Sequence, residues 1–255
     1  MMDNSYLFWT LAVLATFLVG ASKGGLPGVG ILGVPILAQV ISPVVAAGLL
    51  LPLYVISDWY GLWLYRKNYD AWNIKLITCA ACIGLAIGWA TAHYNNDSVV
   101  KLIVGLIGIW YTADLVWKSR QKAEVVARPA DVPRGLFWGS LAGFTSFVAH
   151  AGGVPYQMFV LPQKLDKMTY AGTATITFTI INALKLPPYW MLGQINIGSL
   201  ETGLYLAPVA LIGAWAGFRA TKILPEKMFF RCVEIALFLV SLKLIWDAFN
   251  GFGII

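Results

Sequence analysis

Ala149-His150-Ala151-Gly152-Gly153-Val154-Pro155-Tyr156-Gln157-Met158-Phe159-Val160-Leu161-Pro162-Gln163 is the stretch on which the fold turns. Its apolar part, 154–163, is too short to cross a bilayer. At the helical rise it reaches about 15 Å, half of a ~30 Å hydrocarbon core. An earlier stretch is built the same way. Lys23-Gly24-Gly25-Leu26-Pro27 leads into an apolar segment, 26–41, that Gly28, Gly30, Gly33 and Pro35 interrupt. Irregular backbone at membrane depth survives only where it is buried in protein or lines a cavity. Short or Gly/Pro-broken segments in matching positions of two halves point to a transporter binding site.

The composition puts both stretches in a membrane. The chain has 255 residues, 59% hydrophobic and 12% charged, with a mean hydropathy of +0.73. Soluble domains carry about twice that share of charge. An ordinary soluble domain and a disordered chain are both excluded. Around the two broken stretches lie eight further apolar segments, giving ten in all: 6–22, 26–41, 43–65, 74–93, 98–118, 134–150, 154–163, 166–186, 197–220 and 226–250. The start, Met-Met-Asp3-Asn4-Ser5, has no basic residue, so 6–22 reads as a retained first helix rather than a secretory signal. The predicted fold class is an all-α polytopic membrane protein.

The net charge of +6 could suggest nucleic acid, but its placement argues for membrane orientation. Cytoplasmic loops are enriched in Lys and Arg. If ten segments alternate and the central polar loop is cytoplasmic, every one of the 18 Lys and Arg except Lys101, Lys185 and Lys243 falls in a cytoplasmic connection. A rival with eight spans and two re-entrant loops would put Arg219, Lys222, Lys227 and Arg231 outside. Ten segments therefore fit better, with both termini on the outer side. Five per half is odd, so the second half enters inverted. The expected domains are a first repeat at 1–118, a linker at 119–133 and an inverted second repeat at 134–255.

The halves also match residue by residue. Gly24-Gly25-Leu26-Pro27 matches Gly152-Gly153-Val154-Pro155 at offset 128. Leu37-x-Gln39, Ala47-Gly48 and Tyr65 match Leu161-x-Gln163, Ala171-Gly172 and Tyr189 at offset 124. Asn73-Ile74 matches Asn196-Ile197 at offset 123. The offset 124 register also pairs Asp58 with Asn182.

Candidate chemistry gathers near the glycine loops. The first N–H groups of a helix are unpaired and carry partial positive charge, so an oxyanion is their natural guest. Gly24, Gly25, Gly152 and Gly153 are candidate binding positions, and tight helix packing is the alternative. Lys23 and His150 would attract an anion from opposite sides; an interfacial anchor and a structural hydrogen bond are their plainer roles. Gln157, one turn into the short helix, could donate to a substrate oxygen. An intramembrane carboxylate is costly and marks function by default. Asp58 is thus a candidate proton carrier, or pairs with a cation such as Arg66, with Asn182 as its neutral counterpart. Lys185 is expected to snorkel to the interface. Of Thr173, Thr175, Thr177 and Thr179, one or two can face a pathway. Gln39 and Gln163 are expected to be caps, and Glu201, Asp114, Glu234 and Asp247 structural.

Cys79-Ala80-Ala81-Cys82 has redox-like spacing but lacks a βαβ context, so a thiol oxidoreductase is a weaker reading. No nucleophile elbow, P-loop or zinc motif occurs. No enzyme activity, cofactor or metal is expected. The expected partners are a small anionic substrate, the lipid bilayer and protons as coupling ion, without nucleic acid.

The glycine-rich run into Val34-Pro35-Ile36-Leu37, the later Ala47-Gly48 and the second copy at Gly152-Gly153-Val154-Pro155 resemble the TauE/SafE sulfite exporter family. The resemblance covers nearly the whole chain, because the motif occurs once per half. It implies secondary transport of a small sulfur-containing oxyanion, such as sulfite or an organosulfonate, across a bacterial inner membrane. Export is the usual direction, with thiosulfate uptake or a passive anion channel as alternatives. The family motif would place substrate near Gly24, Gly25, Gly152 and Gly153. Ala151 stands where many members have a third glycine, and His150 also departs from the pattern.

Overall fold

A computed structural model describes residues 6–26, 29–92, 96–120, 127–193 and 197–253. Residues 1–5, Pro27, Gly28 and Asn196 lie outside the described residues. The described chain is helical throughout, with ten α-helices: α1 Tyr6–Lys23, α2 Gly33–Leu37, α3 Pro43–Tyr65, α4 Ala71–Ala90, α5 Asp97–Arg120, α6 Val132–Ala149, α7 Gly153–Val160, α8 Lys167–Met191, α9 Ile197–Ile223 and α10 Glu226–Gly251. Each falls on one of the ten apolar segments.

Five stretches among the described residues are long and apolar enough to cross a bilayer: Tyr6–Lys23, Val45–Tyr65, Ala71–Ala90, Ser98–Trp117 and Leu200–Ile223. With bands of outward apolar and aromatic side chains such as Trp59, Trp110, Leu204 and Trp246, they make this a multi-pass membrane protein. Water would not tolerate that much exposed apolar surface.

The two interrupted segments are broken where expected. The first is a 3₁₀ turn at Val29–Leu32 followed by the five-residue α2. The second is the eight-residue α7, continued by a 3₁₀ turn at Leu161–Gln163. One boundary differs. Segment 166–186 stops short of Pro187-Pro188, two residues that lack the N–H a helix interior uses. The structure carries α8 through both prolines to Met191. Two missing donors near a helix end leave two carbonyls to re-satisfy, which membrane helices tolerate.

Backbone contacts divide the chain into two compact units. One comprises Met1–Asp70 and Lys167–Pro225, the other Ala71–Asp166 and Glu226–Ile255. In the first unit α1 packs on α9, and α3 packs on α8 and α9. The α1–α9 seam uses Gly20-x-x-x-Gly24 against Gly213-x-x-x-Gly217. A Cβ on Gly20 would lie 2.0 Å from the Ala210 carbonyl oxygen, and one on Gly217 would lie 2.3 Å from that of Ala21. Close small-residue contact is how membrane helices gain van der Waals packing without a hydrophobic driving force.

In the second unit α4 packs on α6, and α5 on α10. The α4–α6 seam follows the same rule. A Cβ on Gly84 would fall 1.8 Å from the Ser140 carbonyl oxygen, and one on Gly143 would fall 2.2 Å from that of Ala81. Asp131 caps α6 by accepting from the Arg134 N–H at 2.9 Å, and Pro133 sits in the first turn, where its missing N–H costs nothing.

Candidate functional site

In the first unit the site is built on the end of α1. Lys23 is the last residue of that helix and is buried. Its Nζ lies 2.8 Å from Asp58 Oδ1 on α3. Asn182 on α8 donates from Nδ2 to Asp58 Oδ2 at 3.0 Å. The Asp58–Asn182 match in the sequence register is thus a direct hydrogen bond. Each carboxylate oxygen has its own partner, as a charge inside a membrane protein requires.

Arg66 is not the cation of this pair; its guanidinium lies over the Trp63 ring, 5.4 Å from the centroid. Lys185 does not snorkel either. It is 0% exposed, one turn beyond Asn182 on α8, with its Nζ 5.2 Å from the Tyr189 ring centroid. A stem of four carbons snorkels only if the helix end is near, and α8 extends beyond Lys185 through Pro187-Pro188.

The surrounding side chains hold the pair and the adjoining loop. Tyr54 on α3 donates to the Gly30 carbonyl at 2.6 Å, and its ring centroid is 5.2 Å from Lys23 Nζ. One residue therefore pins the broken helix and shields the lysine. Thr175 donates to the Lys23 carbonyl at 3.1 Å, satisfying an orphan carbonyl at the end of α1. Of the other threonines, Thr173 accepts from the Asp70 N–H at 2.9 Å and Thr179 donates to the Thr175 carbonyl at 2.8 Å. Thr177 is buried without a hydrogen-bond partner among the described residues.

Gly24 and Gly25 are buried and closely packed. Tyr65 donates to the Gly24 carbonyl at 2.7 Å and Thr221 to the Gly25 carbonyl at 3.1 Å. Gly25 has φ +108°, and a Cβ there would meet Tyr65 Oη at 2.0 Å. Only glycine fits such a position. The helix that follows is five residues long. Packing by itself accounts for both glycines.

In the second unit α6 ends at His150, whose φ of 51° is left-handed. This reverses the chain into the Gly152-Gly153 turn, with the Ala151 N–H donating to the Thr145 carbonyl at 3.1 Å. Helix α7 starts at Gly153 with Gly152 as N-cap and no side-chain cap. Val154 through Val160 are all buried. Gln157 is 1% exposed, and neither its amide nitrogen nor its amide oxygen has a hydrogen-bond partner among the described residues. Gln163 acts as a cap, donating to the Phe159 carbonyl at 3.1 Å, and also forms a reciprocal amide pair with Asn73 at 2.7 and 3.1 Å.

Elsewhere, Asp247 pairs with Lys243 along α10, a structural role as expected. Cys79 and Cys82 are unbridged and exposed on α4. Tyr54 was not singled out in the sequence. Tyr65 carried only its register match to Tyr189, and Thr175 was one of four threonines of which one or two were expected to face a pathway.

Two broken helices and a buried Lys–Asp pair in a helical membrane protein are features of solute transporters. The family described as sulfite exporter TauE/SafE matches residues 12–244, nearly the whole chain, and the protein belongs to that family. Neither the curated proteins nor the solved structures contain a significant match to it.

Proposed function

We propose that this chain is a secondary transporter that exports a small sulfur oxyanion, sulfite or an organosulfonate, from a bacterial cell by proton-linked alternating access. One observation carries the reading. Gln157 is buried on a short, uncapped helix with neither amide atom bonded to protein among the described residues. Burying an unpaired amide costs about 1–3 kcal/mol. A ligand oxygen at the amide N–H and the open turn at Gly152 and Gly153 would recover that cost. Half-helix N-termini aimed at anionic groups are a recurring transporter device. His150, at the mouth of the turn, adds a side chain able to gain positive charge near neutral pH.

Asp58 is the proposed proton carrier. Protonating it dissolves the ion pair with Lys23. Tyr54 touches both Lys23 and the broken segment, so the pair and the Gly30 turn move together.

The proposed frame is a 5+5 inverted repeat of 1–118 and 134–255 joined by 119–133, set in the inner membrane with both termini outside. Asp58 and Asn182 support it: they occupy equivalent register positions, and equivalent positions of two copies meet only beside a two-fold axis. The packing of α1 on α9 and of α4 on α6 is reciprocal in the same sense. Compact units that combine helices from both halves are what copies that exchange helices would produce.

The test is anion flux in proteoliposomes across sulfite, thiosulfate, sulfate and sulfonates, with and without a pH gradient. The reading expects flux of sulfite or a sulfonate that follows the gradient. Flux indifferent to the gradient and without countertransport would make the protein a passive channel, and no flux would remove transport altogether.

A further inference from the structure

We propose that the groove between the last turns of α3 and α9, within the first unit, binds the headgroup of an anionic phospholipid. The groove encloses about 350 Å³. Its walls are aromatic: Tyr60 and Trp63 from α3, Trp215 and Phe218 from α9. Arg219 and Lys222 close it at one turn's spacing on α9.

The chemistry at that place selects the ligand. Tyr60 and Trp63 stack at 5.9 Å with an interplanar angle of 15°, and Arg219 lies over Trp215 at 5.6 Å. Trp63 and Trp215 are 57% and 49% exposed, so the aromatic walls open outward to lipid. Both helices are among the bilayer-crossing stretches, which end at Tyr65 and Ile223. The groove therefore lies at the depth where hydrocarbon gives way to headgroups, the layer that Trp and Tyr prefer. Among the described residues, no Asp or Glu lines it.

The usual internal claim on such cations is already met. Lys167 donates from Nζ to the Lys222 and Leu224 carbonyls, so the negative end of α9 is neutralised by a different lysine. Arg219 and Lys222 have no carboxylate partner among the described residues. Arg66, over Trp63, adds a third positive charge at the rim. A phosphodiester with acyl chains satisfies every wall at once: charge on the basic pair, chains on the aromatic faces. A free phosphate would use only the cations.

The experiment is native mass spectrometry of the whole protein in mild detergent, titrated with phosphatidylglycerol or phosphatidylcholine. Wild type should hold phosphatidylglycerol at least tenfold more tightly. Each basic side chain near a headgroup contributes about fivefold, so Arg219→Gln with Lys222→Gln should weaken phosphatidylglycerol about 30-fold. Phosphatidylcholine binding should not change, and Arg219→Lys with Lys222→Arg should keep most of the preference. Equal binding of the two lipids by wild type overturns the proposal, as does a glutamine pair that binds phosphatidylglycerol normally. Competition by glycerol phosphate as strong as that by phosphatidylglycerol would also overturn it, assigning the cations to a free anion.

Discussion

Removing Lys23 should destabilise the protein far more than removing both partners of its ion pair. The pair is 2.8 Å apart, with side chains 5% and 1% exposed, so solvent screens it little. At an effective dielectric of about 20 its attraction is about 6 kcal/mol, which offsets the cost of desolvating both ions. Lys23→Met leaves Asp58 buried without its cation, and breaking a buried pair from one side costs about 3–5 kcal/mol. Asp58→Asn strands Lys23 in the same way, although the new amide oxygen can still accept from Asn182. The double variant Lys23→Met with Asp58→Asn removes both charges, keeps the Asn182 hydrogen bond and fills the same volume. It should cost less than either single change. The assay is unfolding in mixed micelles followed by tryptophan fluorescence for all four proteins. Single variants within about 0.5 kcal/mol of wild type, as a screened surface pair would give, would refute the reasoning. So would single costs that simply add in the double variant.

Gln157→Leu removes a buried unpaired amide, so unfolding should be unchanged or shifted to higher denaturant, while anion flux falls at least tenfold; a structural amide would show the opposite pattern. Gly25→Ala places a Cβ 2.0 Å from Tyr65 Oη at a φ of +108° and should lower the unfolding midpoint, whereas retention of the wild-type midpoint would show that the turn can yield. His150→Gly should stabilise the fold by about 1 kcal/mol, because glycine adopts left-handed φ without strain, and should reduce flux; unchanged flux would confine His150 to its backbone role.

The segments were legible because membrane spans announce themselves by length and hydropathy. The breaks at 26–41 and 154–163 were legible because Gly and Pro act on local backbone. The register matched Asp58 with Asn182 as counterparts, but that the two meet in a hydrogen bond is visible only in the structure. What the sequence did not show was which cation Asp58 takes. Arg66 lies two turns away on the same stretch, while Lys23 is distant in sequence and reaches Asp58 only because α1 packs beside α3. The burial of Lys185 was hidden because the apolar segment ends at 186, one residue past it, whereas the helix continues to Met191. The partnerless state of Gln157 is a property of the packed interior around α7 and could not be read from residue types.

The central claim is that a buried amide on a half-helix holds a transported oxyanion. Counterflow of labelled sulfite into proteoliposomes preloaded with unlabelled sulfite tests it most directly, with wild type and Gln157→Leu compared at equal reconstitution. Transient accumulation is expected in wild type, with its near loss in the variant. Equal counterflow in the two proteins, or none in wild type with any sulfur oxyanion, would contradict it.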